Sequence, residues 1–180
     1  MTDLLLIGGA TPEMLERLGA AFTVHRLSDA ADPVSWLAEH GAKIHYVATN
    51  GHDGVKPDYI KALPNLKLIS CYGVGYDAID TNLARAGGIM VTHTPNVLNA
   101  EVASTALMLM LACYRNLLAD DAYVRSGDWE TVGNAPLSRS ADNQVVGIVG
   151  LGRIGQAIAD KLAPLNATIL YHARSQKMVP

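Results

Sequence analysis

The chain has 180 residues, 49% of them hydrophobic and 17% charged, with 16 Gly, 8 Pro, 2 Cys and a formal net charge of −3. At roughly 150 residues per domain that is one domain and a remainder, or two small domains, able to take about 70% of the unfolded surface out of water without disulfides or metal. The apolar fraction excludes disorder, and scattered charges with a pI near 6.0 offer no basic face for nucleic acid and no polybasic arm for a membrane.

From the N-terminus, short aliphatic runs alternate with helical stretches. Asp3 to Gly8, Phe22 to Leu27, Lys43 to Thr49, Leu66 to Cys71 and Ile89 to Thr92 read as strands. Pro12 to Ala20, Pro33 to His40, Pro57 to Leu63 and Ala78 to Ala86 read as helices, three of them opening on a proline whose missing N–H costs nothing in the first turn. Apolar strands joined by helical crossovers predict an α/β fold with a doubly wound, flavodoxin-like parallel sheet over residues 1–98. A long helix is expected from Asn99, its candidate N-cap, to Gly127, with the apolar half Ala103 to Ala112 buried between two bodies. Gly127 to Asn143 reads as a loop. Val145 to Val149, Arg153 to Leu165 and Thr168 to Tyr171 then form one βαβ unit, the start of a nucleotide-binding Rossmann domain over residues 99–180.

The longest apolar run, Ala106 to Tyr114, falls short of the ~18 residues a membrane span needs. Leu4 to Ile7 follows Asp3 rather than a basic segment and is a first buried strand, not a signal core. Cys71 and Cys113 stand without a disulfide framework, which suits a reducing compartment, so a cytoplasmic protein is expected. The histidines offer no metal spacing, and no G-x-S-x-G is present.

Gly150-Leu151-Gly152-Arg153-Ile154-Gly155 carries the strongest chemical signal because it follows a strand and opens a helix. Gly150 permits the tight turn, Gly152 lets a pyrophosphate approach the backbone, and Gly155 lets helix and strand pack closely. The helix N-terminus supplies free N–H groups for the phosphates. An NAD site would carry an acidic residue about 20 positions further on. Here Tyr171-His172-Ala173-Arg174-Ser175-Gln176-Lys177 occupies that region and no Asp or Glu follows Asp160, so NADP(H) is expected over NAD(H), with Arg174 and Ser175 on the 2′-phosphate. A second constellation, Tyr72-Gly73-Val74-Gly75-Tyr76-Asp77, ends the fourth strand and suits either an anion-binding nest or a tight loop with Asp77 as helix cap. Thr49 to Gly54 ends the third strand on the same side and suits either a second crevice wall or, as the favoured expectation, a polar turn.

The blocks Gly73 to Asp80, Thr94-Pro95-Asn96-Val97-Leu98, Val124 to Trp129 and Val146 to Gly155 stand in the order and spacing of the D-isomer-specific 2-hydroxyacid dehydrogenases. The chain resembles that family over nearly its whole length, and most closely its glyoxylate/hydroxypyruvate reductase branch. The resemblance implies an oxidoreductase that reduces a small 2-keto acid with a nicotinamide cofactor, and commonly a homodimer formed through the coenzyme domains. It places the substrate carboxylate on the backbone N–H groups of Val74 and Gly75, the pyrophosphate at Arg153 and Ile154, and the nicotinamide near Val102. Two positions depart from the pattern. His93 replaces the Asn of the usual Asn-Thr-Pro and is expected to be a packed strand-end histidine. Asn166 replaces a helix-ending Gly, which its tolerance of the left-handed conformation allows.

The family's catalytic Arg, Glu and His lie beyond residue 180, and none of His25, His40, His45, His52, His93 and His172 matches the acid position. No catalytic residue is therefore assigned within the chain, which is expected to be the N-terminal part of a longer dehydrogenase and inactive alone. The alternative is a truncated, non-catalytic nucleotide-binding or regulatory module.

Overall fold

A computed structural model describes residues 1–177 as two compact units, the first Met1–Val97 and the second from Leu98 on. The first unit alternates strands β1 (Thr2–Leu6), β2 (Phe22–Arg26), β3 (Tyr46–Asn50), β4 (Leu68–Tyr72) and β5 (Met90–Thr92) with helices α1 (Pro12–Ala21), α2 (Pro33–His40), α3 (Pro57–Lys61) and α4 (Thr81–Ala86). All strands are parallel, in the order β2-β1-β3-β4-β5, which is the doubly wound, flavodoxin-like topology.

Register explains the core. Leu5 pairs with Val47, Val47 with Ile69 and Ile69 with Val91, so one row of aliphatic side chains crosses four strands on a single face. Leu5, Val47 and Ile69 are fully buried there against Leu37, Ile60 and Leu63. Side chains alternate, so Leu4, Leu6 and Ala48 face the other way, where Leu15, Leu18 and Phe22 pack on them.

Proline opens α1, α2 and α3, and the side chains of Thr11 and Asp32 cap the first two. The sequence places the start of the fourth helix at Ala78 and offers Asp77 as its cap, but α4 starts at Thr81. The Asp80 carboxylate accepts from the N–H groups of Asn82 and Leu83, whereas the carbonyl of Ala78 is engaged by the Val55 N–H at 3.1 Å. β3 likewise starts late, because a short 3-10 turn at Gly41–Lys43 follows α2.

The second unit contains α5 (Asn99–Tyr114), α6 (Leu117–Ser126), α7 (Asp128–Thr131), β6 (Val145–Val149), α8 (Arg153–Leu162) and β7 (Thr168–His172), with β6 and β7 parallel. The single long helix predicted from Asn99 to Gly127 is instead two helices bent by 56°. Asn116 sits between them at φ +50°, a left-handed residue that a right-handed helix cannot pass through. The segment after α7 holds this break, since the Arg115 Nε donates to Ser138 Oγ at 3.0 Å and the Arg139 guanidinium lies 4.5 Å from the Tyr114 ring centroid. Leu98, not Asn99, is the N-cap residue of α5. The predicted burial of Ala103 to Ala112 is met only at Ala103. α5 is apolar nearly all round, and Met108 and Leu109 remain more than half exposed. No single helix among the described residues is long and apolar enough to cross a membrane. As the sequence suggests, Asn166 ends the βαβ helix region in the left-handed conformation, at φ +51°.

One surface contact gives a pH test. His25 Nε2 lies 2.6 Å from Asp3 Oδ1, and this hydrogen bond holds the Asp3 carboxyl below its ordinary value. A carboxylate favoured in the native state stabilises the fold fully above its unfolded value, and the contribution disappears as pH falls through the native one. Asp3→Asn should lower the urea midpoint at neutral pH, and the gap to wild type should close as pH drops below about 4.

Candidate functional site

The segment after β4 is held by its carbonyls. The Gly73 C=O accepts from the Thr94 N–H at 2.9 Å, the Val74 C=O from His93 Nδ1 at 2.9 Å, and the Gly75 C=O from Cys71 Sγ at 3.6 Å. Cys71 and His93 lie two residues beyond the paired Ile69 and Val91, so the register that builds the core also points both side chains to the loop. Burial pushes the Cys71 thiol up, which keeps it protonated and able to donate. Gly51 in the neighbouring turn approaches so closely that a Cβ there would sit 2.6 Å from the Gly75 oxygen. That turn is organised by Asn50, whose Oδ1 accepts from the N–H groups of His52 and Asp53 at 2.9 and 2.8 Å.

A trans peptide points its N–H away from its C=O. All peptides here are trans, so anchoring the carbonyls of Gly73, Val74 and Gly75 turns the N–H groups of Val74, Gly75 and Tyr76 away from their anchors. None of these three N–H groups has an acceptor among the described residues. Adjacent unused donors on one short loop are chemically an anion cradle. The sequence marked the loop as an anion nest or a tight turn, and the family resemblance pointed to Val74 and Gly75 in it. It did not reveal the role of His93, whose ring also packs edge-on against Tyr76 with centroids 4.7 Å apart. The only signal was its departure from the family's Asn.

In the second unit, Gly150 makes the turn after β6 at φ +95°, and its N–H donates to the His172 carbonyl at 2.8 Å, tying the glycine loop to the end of β7. Gly155 is buried, and a Cβ on it would meet the Gly150 oxygen at 2.2 Å, so only glycine lets α8 start this close to the strand. Nothing lies within 4 Å of a Cβ built on Gly152, which leaves the backbone open to a ligand. No hydrogen-bond acceptor among the described residues is engaged by the N–H groups of Gly152, Arg153 and Ile154, the free donors of a helix start. Val102 lies in the first turn of α5, its N–H on the Leu98 carbonyl at 3.0 Å, and α5 packs along α8. Beyond β7, Arg174 and Ser175 are exposed, and the Lys177 ammonium donates to Ser175 Oγ at 3.1 Å. Tyr171 shapes this segment, its hydroxyl accepting from the Lys177 N–H at 3.1 Å. The geometry therefore fits a dinucleotide, with open N–H groups at the helix start and a cationic cluster two residues past the strand that the glycine loop grips.

Over residues 4–177 the chain matches the catalytic domain of the D-isomer specific 2-hydroxyacid dehydrogenases. It belongs to this family. The 2-ketogluconate reductase of Gluconobacter oxydans is 39% identical over 177 residues, which cover 97% of this chain and 56% of that enzyme. Glyoxylate/hydroxypyruvate reductase A of Arabidopsis thaliana is 41% identical over 141 residues, 78% of this chain and 45% of its own. Among solved structures, the 2-hydroxyacid dehydrogenase of Ketogulonicigenium vulgare superposes with a TM-score of 0.92 at 42% identity, covering 98% of this chain and 55% of that one. The NADPH-dependent glyoxylate/hydroxypyruvate reductase of Sinorhizobium meliloti, solved with NADP and malonate, gives 0.83 at 37% identity, covering 97% and 54%. The chain thus spans about half the length of these 2-hydroxyacid dehydrogenases, a family of oxidoreductases that use nicotinamide cofactors.

Two outcomes follow from the packing. Gly155→Ala should destabilise the chain by roughly 1–3 kcal/mol in urea unfolding, because backbone rather than a flexible side chain blocks the new methyl. A thiol reagent should modify exposed Cys113 in the native chain and buried Cys71 only after denaturation.

Proposed function

We propose that this chain forms the substrate-binding unit and the first part of the coenzyme unit of an NADP(H)-dependent reductase of small 2-keto acids such as glyoxylate and hydroxypyruvate. The observation that carries the cofactor preference is the cluster Arg174, Ser175 and Lys177 after β7, with no carboxylate following Asp160. A guanidinium can pair bidentately with a 2′-phosphate, while an acidic residue at this place would repel it. The N–H groups of Arg153 and Ile154 and the open backbone at Gly150 and Gly152 take the pyrophosphate, with Gly155 allowing the approach. Val102 offers an apolar surface to the nicotinamide. NADPH, when bound, supplies the hydride that reduces the keto carbon. The Val74 and Gly75 N–H groups hold the substrate carboxylate and so set the orientation of the carbonyl beside it.

The cation and proton donor that the reduction also needs are the family's Arg, His and Glu, which the resemblance puts after residue 180. In this reading the present chain binds and orients but does not turn over. The exposed apolar residues Met108, Leu109, Leu117 and Leu118 of α5 and α6 support a homodimer through the coenzyme unit.

Titration of the chain with NADPH and NADH tests this. NADPH should bind about tenfold more tightly or better, and Arg174→Ala should remove most of that preference without weakening NADH. Equal dissociation constants for the two cofactors would refute the NADP assignment. Oxidation of NADPH with glyoxylate by a purified species of 19.1 kDa would refute inactivity of the chain alone.

A further inference from the structure

Resting on the assignment of the substrate carboxylate to Val74 and Gly75, we infer that His93 is a positioning residue that strengthens the Gly75 N–H as an anion donor by hydrogen-bonding the other end of the same peptide group. The Val74 C=O and the Gly75 N–H belong to one amide. A carbonyl has no proton to give, so at 2.9 Å His93 Nδ1 must carry the hydrogen and donate. A donor on the carbonyl polarises the amide and makes its N–H a stronger donor at the opposite end, since hydrogen bonds in a chain reinforce one another. The preceding amide is built alike, with the Thr94 N–H on the Gly73 C=O at 2.9 Å and the Val74 N–H at its free end. Consecutive residues 93 and 94 thus back the two donors assigned to the carboxylate.

The difference is that the Thr94 contact is main chain and survives any substitution, whereas the His93 contact belongs to a side chain. The half-buried ring is fixed edge-on by Tyr76 and shares a cavity of about 310 Å³ with Thr81 and Arg85. Arg85 is the cation lining that cavity, and the carboxylate of Asp80, which precedes Thr81 in the chain, is taken up by the Asn82 and Leu83 amides. Replacing His93 therefore changes one donor of the cradle and leaves its neighbour backed.

The test uses the 15N-labelled 180-residue chain titrated with oxamate, a redox-inert 2-keto acid analogue, read at the Val74 and Gly75 amides by NMR. His93→Phe keeps an aromatic ring against Tyr76 but removes the donor. It should weaken oxamate binding about fivefold and, in the free chain, shift the Gly75 amide more than the Val74 amide. His93→Asn places a side-chain amide nitrogen where Nδ1 stands and should keep the dissociation constant within about twofold of wild type. Oxamate bound by H93F as tightly as by wild type overturns the inference, as does H93N as weak as H93F, which would show that ring packing rather than the donor matters. If H93F does not fold, a loss well beyond twofold in H93N overturns it. Failure of oxamate to shift either amide in the wild-type chain overturns the carboxylate assignment itself, and the inference with it.

Discussion

The parallel pairing of β1, β3, β4 and β5, with Leu5, Val47, Ile69 and Val91 in one row, is the constraint on which the first unit depends. Parallel strands joined by helices bring every strand's carboxyl end to the same edge of the sheet. The turns after β3 and β4 therefore meet, and Gly51 can press against the Gly75 carbonyl. The same row sets the alternation that sends Cys71 and His93 to the loop. A slip of one residue would turn both to the opposite face and leave the carbonyls of Val74 and Gly75 without their donors. Hydrophobic burial, which has no direction, is converted by register into directed hydrogen bonding.

The second unit solves a related problem with shorter means. Its glycine loop is shaped by the close approach of helix start and strand end, where a Cβ on Gly155 would meet the Gly150 carbonyl, and by the bond from Gly150 to the end of β7. That bond ties the cationic residues after β7 to the same loop. Under the proposed cofactor assignment, discrimination between the two nicotinamide cofactors would rest on the few charges exposed there.

Much of this was legible in one dimension. The order of strands and helices follows from apolar runs and helix-opening prolines, and the glycine motif from its place between a strand and a helix. The left-handed Asn166 also followed, because a left-handed C′ residue is a local property. What failed was nonlocal. The break at Asn116 lies within an apolar-to-amphipathic run that supports one helix, and where Asn116 turns left-handed the flanking Arg115 and Tyr114 are engaged by Ser138 and Arg139 from a segment about 25 residues away. Asp77 and Asp80 are both good caps by composition. The Ala78 carbonyl's bond to Val55, which no local pattern contains, goes with the later start.

Alone, the sequence determined the alternation of elements, the glycine-rich turn between a strand and a helix, and the run of Arg174, Ser175 and Lys177 after the last strand, because each is written in residues close together along the chain. Only the tertiary structure decided that His93 backs the Gly75 amide, that Cys71 is a donor rather than a reactive thiol, and that the long helix divides. Each of these needs two segments to meet, and side chains from separate strands meet only once packing has chosen a register.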